Sequence, residues 1–141
     1  MASFAELLPH VERAHHAVRQ VIPCTGCELA AALLTLELRG LGEPAEFVRG
    51  HYRRPEEPED KHNLHAWVEV ADVLLDPTRD QFGEDPFSEA HQRPYLNDTG
   101  PPPKDLEAHA YMLLEMQWSF KEAAIRDLVE QYGLDITRLE D

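Results

Sequence analysis

One segment, residues 27–38, constrains the fold of this chain more than any other, because its apolar residues point to every side of a helix. Leucine and alanine fill most of its positions. The good helix formers Leu, Ala and Glu favour a helix over a strand here, and Gly40 and Gly42 end it. A helix that is apolar all round is a buried one. The rest of the chain is therefore expected to surround this helix.

The flanking segments show alternating helical and strand patterns. The predicted elements are a helix over 3–20, a strand over 45–52, a β-hairpin of strands 64–70 and 73–76, and a helical region over 105–132. Pro9 leaves open a later start of the first helix. Residues 77–104 are rich in loop formers, and Gly133 is the expected C-cap of the last helix.

This pattern predicts the α+β class, with a buried helix packed on an antiparallel sheet and helices at the C-terminus. The chain has 141 residues, of which 43% are hydrophobic, enough for one domain over residues 1–141. We expect a catalytic core over about 1–100. The helical segment over about 104–133 either covers one side of this core or pairs with a second copy in a homo-oligomer.

Charge and hydropathy limit the partners. The net charge is −14, from 27 acidic and 13 basic residues, and such a surface repels the phosphates of nucleic acids. We find no run of the roughly 18 apolar residues that a membrane span needs. The N-terminus lacks the basic and apolar regions of a signal peptide. We therefore expect a cytoplasmic protein without nucleic-acid or membrane partners.

Two cysteines, Cys24 and Cys27, lie three residues apart. They are too close in sequence to act as the disulfide framework of a fold. Three interpretations remain: a redox CxxC pair, half of a zinc site, or a nucleophile with a bystander.

The position of Cys27 at the start of the predicted central helix suits a nucleophile. A thiol attacks as its thiolate. The unpaired N–H groups and the dipole of a helix N-terminus favour that anion. A nearby imidazolium favours it further, so a histidine from elsewhere in the chain is needed.

The predicted hairpin supplies a histidine together with a carboxylate. If residues 71–72 form the turn, Trp67 lies opposite Asp76, and His65 shares the face of Trp67. His65 and Asp76 are then diagonal neighbours within side-chain reach, as orientation of an imidazole by a carboxylate requires. A slip of one residue in register would separate them, and Ala-Asp is not the Asn-Gly or Asp-Gly that two-residue turns prefer.

Four motifs in order then resemble bacterial transglutaminase-like proteins, which have the papain-like fold of cysteine proteases. They are Thr-Gly-Cys-Glu at 25–28, Gly-Glu-Pro-Ala at 42–45, His-Ala-Trp-Val-Glu-Val at 65–70 and Leu-Asp-Pro-Thr at 75–78. The resemblance covers residues 24 to about 82. It implies a papain-like core and acyl transfer from an amide of a peptide or protein substrate, without a cofactor. Cys27 would be the nucleophile, His65 its base, and Asp76 the residue that orients the histidine.

Two further residues are candidates for binding the substrate or its oxyanion. The backbone N–H of Cys27 is one natural oxyanion donor. Gln20, seven residues upstream, resembles the glutamine that papain-like enzymes place before their cysteine. Trp67 can either belong to the core or form a wall of the substrate site.

Three other functions compete with this hypothesis. A thioredoxin-type redox module would explain the CxxC pair, but it needs a βαβ unit, and the first twenty residues read as a helix. A zinc site would combine Cys24 and Cys27 with histidines such as His51, His62 or His65, although zinc wants about four ligands. A transglutaminase-like relative that only binds is the third, because a fold alone does not prove activity.

Overall fold

Three helices and a four-stranded antiparallel sheet are found in the computed structural model, which describes residues 2–22, 26–53, 63–90 and 94–140. The helices are α1 (Phe4–Arg19), α2 (Cys27–Gly40) and α3 (Leu106–Tyr132). The strands are β1 (Ala45–Tyr52), β2 (Asn63–Val70), β3 (Val73–Leu75) and β4 (Tyr95–Leu96). Short 3-10 turns cover Arg79–Phe82 and Ile136–Arg138. The predicted α+β class is confirmed.

Helix α1 begins before Pro9 because a capping box fixes its N-terminus. The Ser3 side chain accepts a hydrogen bond from the Glu6 backbone, and the Glu6 carboxylate accepts one from the Ser3 backbone. This reciprocal pair satisfies two N–H groups that the helix leaves unpaired. Pro9 lies inside the helix, so the helix does not take the alternative start near Pro9.

The central position predicted for α2 is confirmed. Most of its residues are buried against α1, α3 and one face of the sheet. Its buried polar side chain, Thr35, donates to the Ala31 carbonyl oxygen at 2.7 Å and so leaves no hydroxyl proton unpaired. The residues of α2 in this main core are Leu29, Ala30, Ala31, Ala32, Leu33, Leu34 and Leu38.

The register of the hairpin is also as predicted. Strands β2 and β3 pair with Val70 opposite Val73 and Val68 opposite Leu75. Ala71 has φ of 54°, which supplies the left-handed conformation that a two-residue turn otherwise takes from glycine or asparagine. The strand order is β3-β2-β1-β4. Strand β4 has only two residues and lies in the segment that we expected to be loop.

The two faces of the sheet belong to different clusters. One face packs on the helices through residues such as Phe47, Ala66 and Val68. The other carries a smaller cluster of Val48, Trp67, Leu74 and Ala90, with Tyr95 against it. His65 and Asp76 lie with this second cluster.

Helix α3 is part of the main core as well as a cover for it. Leu106, Ala110, Leu114, Ile125 and Leu128 are buried in the same cluster as α2. The helix is kinked at Lys121 and ends at Tyr132, followed by Gly133, whose φ of 65° is that of a C-cap glycine. Within the described ranges, we find no helix with both the length and the apolar character of a membrane span.

Candidate active site

His65 and Asp76 form a buried pair at one end of the hairpin. The Nε2 atom of His65 lies 2.6 Å from Oδ2 of Asp76, and neither side chain has exposed area. The contact predicted from the register is thus confirmed. Because Nε2 faces the carboxylate, Nδ1 is the ring nitrogen left for a reacting group.

Both oxygens of Asp76 are occupied by donors. Oδ2 also accepts a hydrogen bond from the Tyr95 hydroxyl at 2.8 Å. Oδ1 accepts from the Thr78 backbone N–H at 3.2 Å and from the Thr78 hydroxyl at 3.4 Å. Burial, followed by the Asp76 charge, raises the pKa of the Tyr95 phenol, so Tyr95 remains a donor to this carboxylate. Asp76 is therefore held from both sides.

Aromatic rings enclose the His65 imidazole. Trp67 stacks on it at 6.2 Å between ring centroids, and Phe82 meets it edge-on at 4.9 Å. Tyr52 and Tyr95 lie at 6.1 and 6.4 Å. Such packing restricts the ring to the orientation that the carboxylate selects.

Of the two interpretations of Trp67, core residue or substrate wall, the structure supports the core. Its side chain is 0% exposed, and its indole Nε1 donates to Glu69 Oε2 at 3.0 Å. A fully enclosed indole does not line a substrate surface. Trp67 instead packs against His65 and Tyr95 from inside the fold.

Cys27 is the first residue of α2 and is partly exposed. The glycine before it allows α2 to start against α1. A Cβ atom on Gly26 would lie 2.5 Å from Cγ1 of Val18, closer than side chains tolerate. The glycine of the Gly-Cys motif thus sets the position of the thiol.

The residue after Cys27 anchors the start of α2 from the other side. Glu28 Oε1 accepts hydrogen bonds from Arg49 Nε and Nη2 at 3.0 and 2.6 Å and contacts His109 Nε2 at 2.9 Å. Burial raises the pKa of Glu28, but the hydrogen bonds from Arg49 and His109 outweigh it and lower that pKa overall. This cluster ties α2 to β1 and α3 beside the thiol.

The imidazole of His65 is biased toward its protonated form. Burial lowers its pKa, but the Asp76 charge and hydrogen bond raise it, and so do the hydrogen bond and charge of Cys27. Together they raise the pKa of His65 to about 9. The pKa of His65 thus depends on both neighbours, the Asp76 carboxylate and the Cys27 thiol.

A cleft of about 290 Å³ opens beside these residues. Gly26 lies at one wall, next to Cys27, and Gln81 at another, next to His65. A charged cluster borders the cleft, in which Asp80 Oδ2 contacts His15 Nε2 and Arg19 Nη1, each at 2.8 Å. The cleft-lining residues are His15, Val18, Arg19, Ile22, Gly26, Thr78, Asp80 and Gln81.

Gln20 lies elsewhere. It is exposed at the C-cap of α1 and lines a different groove, together with His16, Ala124 and Leu128. It does not line the cleft beside Gly26 and Gln81. Its position therefore gives no support to the predicted role as an oxyanion donor.

Three residues of the site were missed by the sequence analysis: Thr78, Gln81 and Tyr95. Thr78 stood in the Leu-Asp-Pro-Thr motif without an assigned role. Gln81 and Tyr95 lie in the loop-rich segment, where no periodic pattern shows which side chains point inward.

Some predictions fall outside the described residues. Cys24, His62 and most of the charged loop at 53–63 are among them. Among the residues that the structure describes, no group of three or more His, Cys, Asp and Glu side chains could hold a metal ion. The zinc and redox interpretations both depend on Cys24 and are not decided by this geometry.

Comparisons with known proteins do not place the chain in a family. No protein-family model matches it, and neither the search of curated proteins nor that of solved structures gave a match. The transglutaminase-like resemblance therefore rests on the motifs around Cys27, His65 and Asp76. The site itself rests on the geometry of these residues.

Proposed function

We propose that this protein is a thiol-dependent acyl-transfer enzyme that acts on amide bonds of a peptide or protein through Cys27, His65 and Asp76. The observation that carries the proposal is the buried contact of 2.6 Å between His65 and Asp76. It leaves Nδ1 of a fixed imidazole for the partly exposed thiol at the start of α2. A nucleophile, a base and an orienting carboxylate, in that order, are the parts of a catalytic triad.

The first half of the reaction is acylation. The Cys27 sulfur attacks the substrate carbonyl carbon, a carbon–sulfur bond forms, and the carbonyl electron pair moves to oxygen. As the carbon–nitrogen bond breaks, His65 gives its proton to the departing amine. Because the pKa of His65 is raised, the ring carries this proton at neutral pH. Asp76 stabilises the imidazolium until the proton is transferred.

The second half releases the acyl group from the thioester. His65, now neutral, takes a proton from water or from an acceptor amine, which attacks the thioester carbon and expels the Cys27 thiolate. Water gives a peptidase or deamidase, and an amine gives a transglutaminase. The half-exposed thiol and the adjoining cleft admit either acceptor.

The fold that we propose is the papain-like core of transglutaminase-like proteins. Its support is the order of the motifs along the chain and their meeting in space. A central helix that begins with the cysteine packs on an antiparallel sheet whose hairpin carries the histidine and the aspartate. No step of the proposed reaction requires a cofactor.

The test is detection of a covalent acyl-enzyme. The protein is incubated with a peptide library and with simple esters, quenched in acid, and digested for mass mapping of the Cys27 peptide. Cys27→Ala and His65→Ala should abolish turnover while the fold is retained, and Asp76→Asn should lose less if its amide still orients the ring. Cys24→Ala is the matched control, since it removes a thiol and should leave turnover unchanged.

Two results would contradict the proposal. One is the absence of any adduct or turnover over a broad panel of amides and esters, with Cys27→Ala behaving like the wild type. That result would make the chain a binding protein with an enzyme-like fold. The other is an adduct on Cys24 instead, or loss of activity in Cys24→Ala, which would favour CxxC chemistry.

A further inference from the structure

A closed ring of hydrogen-bonding contacts joins Asp76, Thr78, Gln81 and His65. Asp76 holds Thr78 through Oδ1 at 3.2 and 3.4 Å and His65 through Oδ2 at 2.6 Å. Thr78 in turn holds Gln81, whose Nε2 lies 3.1 Å from the Thr78 carbonyl oxygen and 3.2 Å from its hydroxyl. The same nitrogen lies 3.4 Å from Nδ1 of His65. One carboxylate thus positions both the imidazole and the Gln81 amide.

The orientation of the Gln81 amide follows from its partner. A carbonyl oxygen only accepts hydrogen bonds, so the amide atom that faces the Thr78 carbonyl must be the NH₂ nitrogen. That nitrogen carries two protons. One is directed to Thr78, and the other is left on the side of His65 Nδ1, 3.4 Å away.

Protonation of His65 leaves this second proton available. Neutral Nδ1 can accept it, whereas an imidazolium carries its own proton on Nδ1 and cannot. The pKa of His65, raised to about 9, favours the imidazolium at neutral pH. The exposed Gln81 side chain also lines the cleft that reaches Gly26 and therefore the start of α2.

We propose that the Gln81 side-chain amide is an oxyanion donor of this enzyme. It acts together with the backbone N–H of Cys27. This inference rests on the proposed acyl-transfer function. It assigns to Gln81 the role for which Gln20 was the sequence-based candidate. The ligand is the carbonyl oxygen of an amide, ester or thioester at the moment it becomes negatively charged.

The step is the addition of the Cys27 thiolate to a carbonyl carbon. The new carbon–sulfur bond uses the sulfur electron pair, and the carbonyl π pair becomes the oxyanion that Gln81 binds. When the oxyanion collapses, the bond to the leaving group breaks and the thioester remains. Donors that meet only the charged oxygen stabilise the transition state more than the bound substrate.

Two reactions of the same thiol separate this role from others. Acylation by p-nitrophenyl acetate passes through an oxyanion, whereas alkylation by iodoacetamide is a direct displacement and does not. Gln81→Met keeps the length of the side chain and removes its donors. Gln20→Met is the matched control. Both rates would be measured on the full chain by stopped-flow release of p-nitrophenolate and by mass mapping of Cys27.

We expect Gln81→Met to slow acylation by about 10²–10³-fold, the usual loss for one oxyanion donor, while alkylation stays within about twofold. Gln20→Met should change neither rate. Equal acylation rates in Gln81→Met and the wild type would overturn the assignment. So would a parallel fall of both rates, since Gln81 would then act through the thiol or His65. If the wild type is alkylated at Cys27 but never acylated, the proposed function itself fails.

Discussion

Replacing Asp76 by asparagine should remove the pH dependence that the buried pair gives to folding. In the native protein, burial alone lowers the pKa of His65, and the Asp76 carboxylate is the first of the groups that raise it to about 9 from 6.5. Without that charge, burial is opposed only by the hydrogen bond and charge of Cys27. We expect the pKa of His65 in Asp76→Asn to fall back toward 6.5, so that the ring is mostly neutral at physiological pH.

The size of the effect follows from thermodynamic linkage. Because the folded pKa of His65 exceeds its unfolded value, its contribution is fully present below about pH 6.5 and is lost as the pH rises through about 9. Each pKa unit is worth about 1.4 kcal/mol. The loss of unfolding free energy across this window is therefore up to about 3 kcal/mol in the wild type, and close to none in Asp76→Asn.

Urea unfolding at pH 6, 7.5 and 9 would measure this difference, with His65 followed by NMR. The control is Asp98→Asn, since Asp98 also contacts a histidine, His51, at 2.6 Å, but with a carboxylate side chain that is 49% exposed. That variant should keep the pH dependence of the wild type. If the curves of Asp76→Asn and wild type run parallel from pH 6 to 9, the assignment of His65 as a buried imidazolium is wrong.

Three further variants test the surroundings of the site. Gly26→Ala should lower stability by about 1–3 kcal/mol, because its methyl group would overlap Val18, and should slow labelling of Cys27; an unchanged melting temperature would contradict the packing described. Tyr95→Phe removes a donor to Asp76 and should cost about 1 kcal/mol in urea unfolding; a stability gain would show that the hydrogen bond is not formed. Ending the chain after Pro103 removes α3, should expose the apolar surface of α2 and should lower solubility; a soluble, monomeric and equally heat-stable fragment would refute that role.

The parts of the fold that local patterns encode were predictable. Helix α2 has apolar residues on all its sides and therefore requires a central position. Its observed bounds, Cys27–Gly40, begin at the predicted residue. The turn assumed at residues 71–72 gave the hairpin register and, through it, the contact of His65 with Asp76. A period of two leaves only one face for each residue, so this contact needed no tertiary information beyond the position of the turn.

The parts that depend on the path of the loops were not predictable. Strand β4 is two residues long and exists because Tyr95 pairs with Tyr52 of β1. Gln81 reaches His65 through a 3-10 turn whose course is set by Thr78 and Asp76. The position of Gln20 was not predictable for a related reason, since its distance from Cys27 along the chain did not show which groove the C-cap of α1 lines.

The sharing of Asp76 among several partners has a consequence for mutational studies of this site. His65, Thr78 and Tyr95 all contact the one carboxylate. Residues in one such network show interaction energies of about 0.5–3 kcal/mol in double-mutant cycles. Free-energy changes of single substitutions here should therefore not sum to those of the combined variants. Once Asp76 is lost, a second change at Tyr95 should cost much less than it does alone, and the cycle between them measures how strongly the network is coupled.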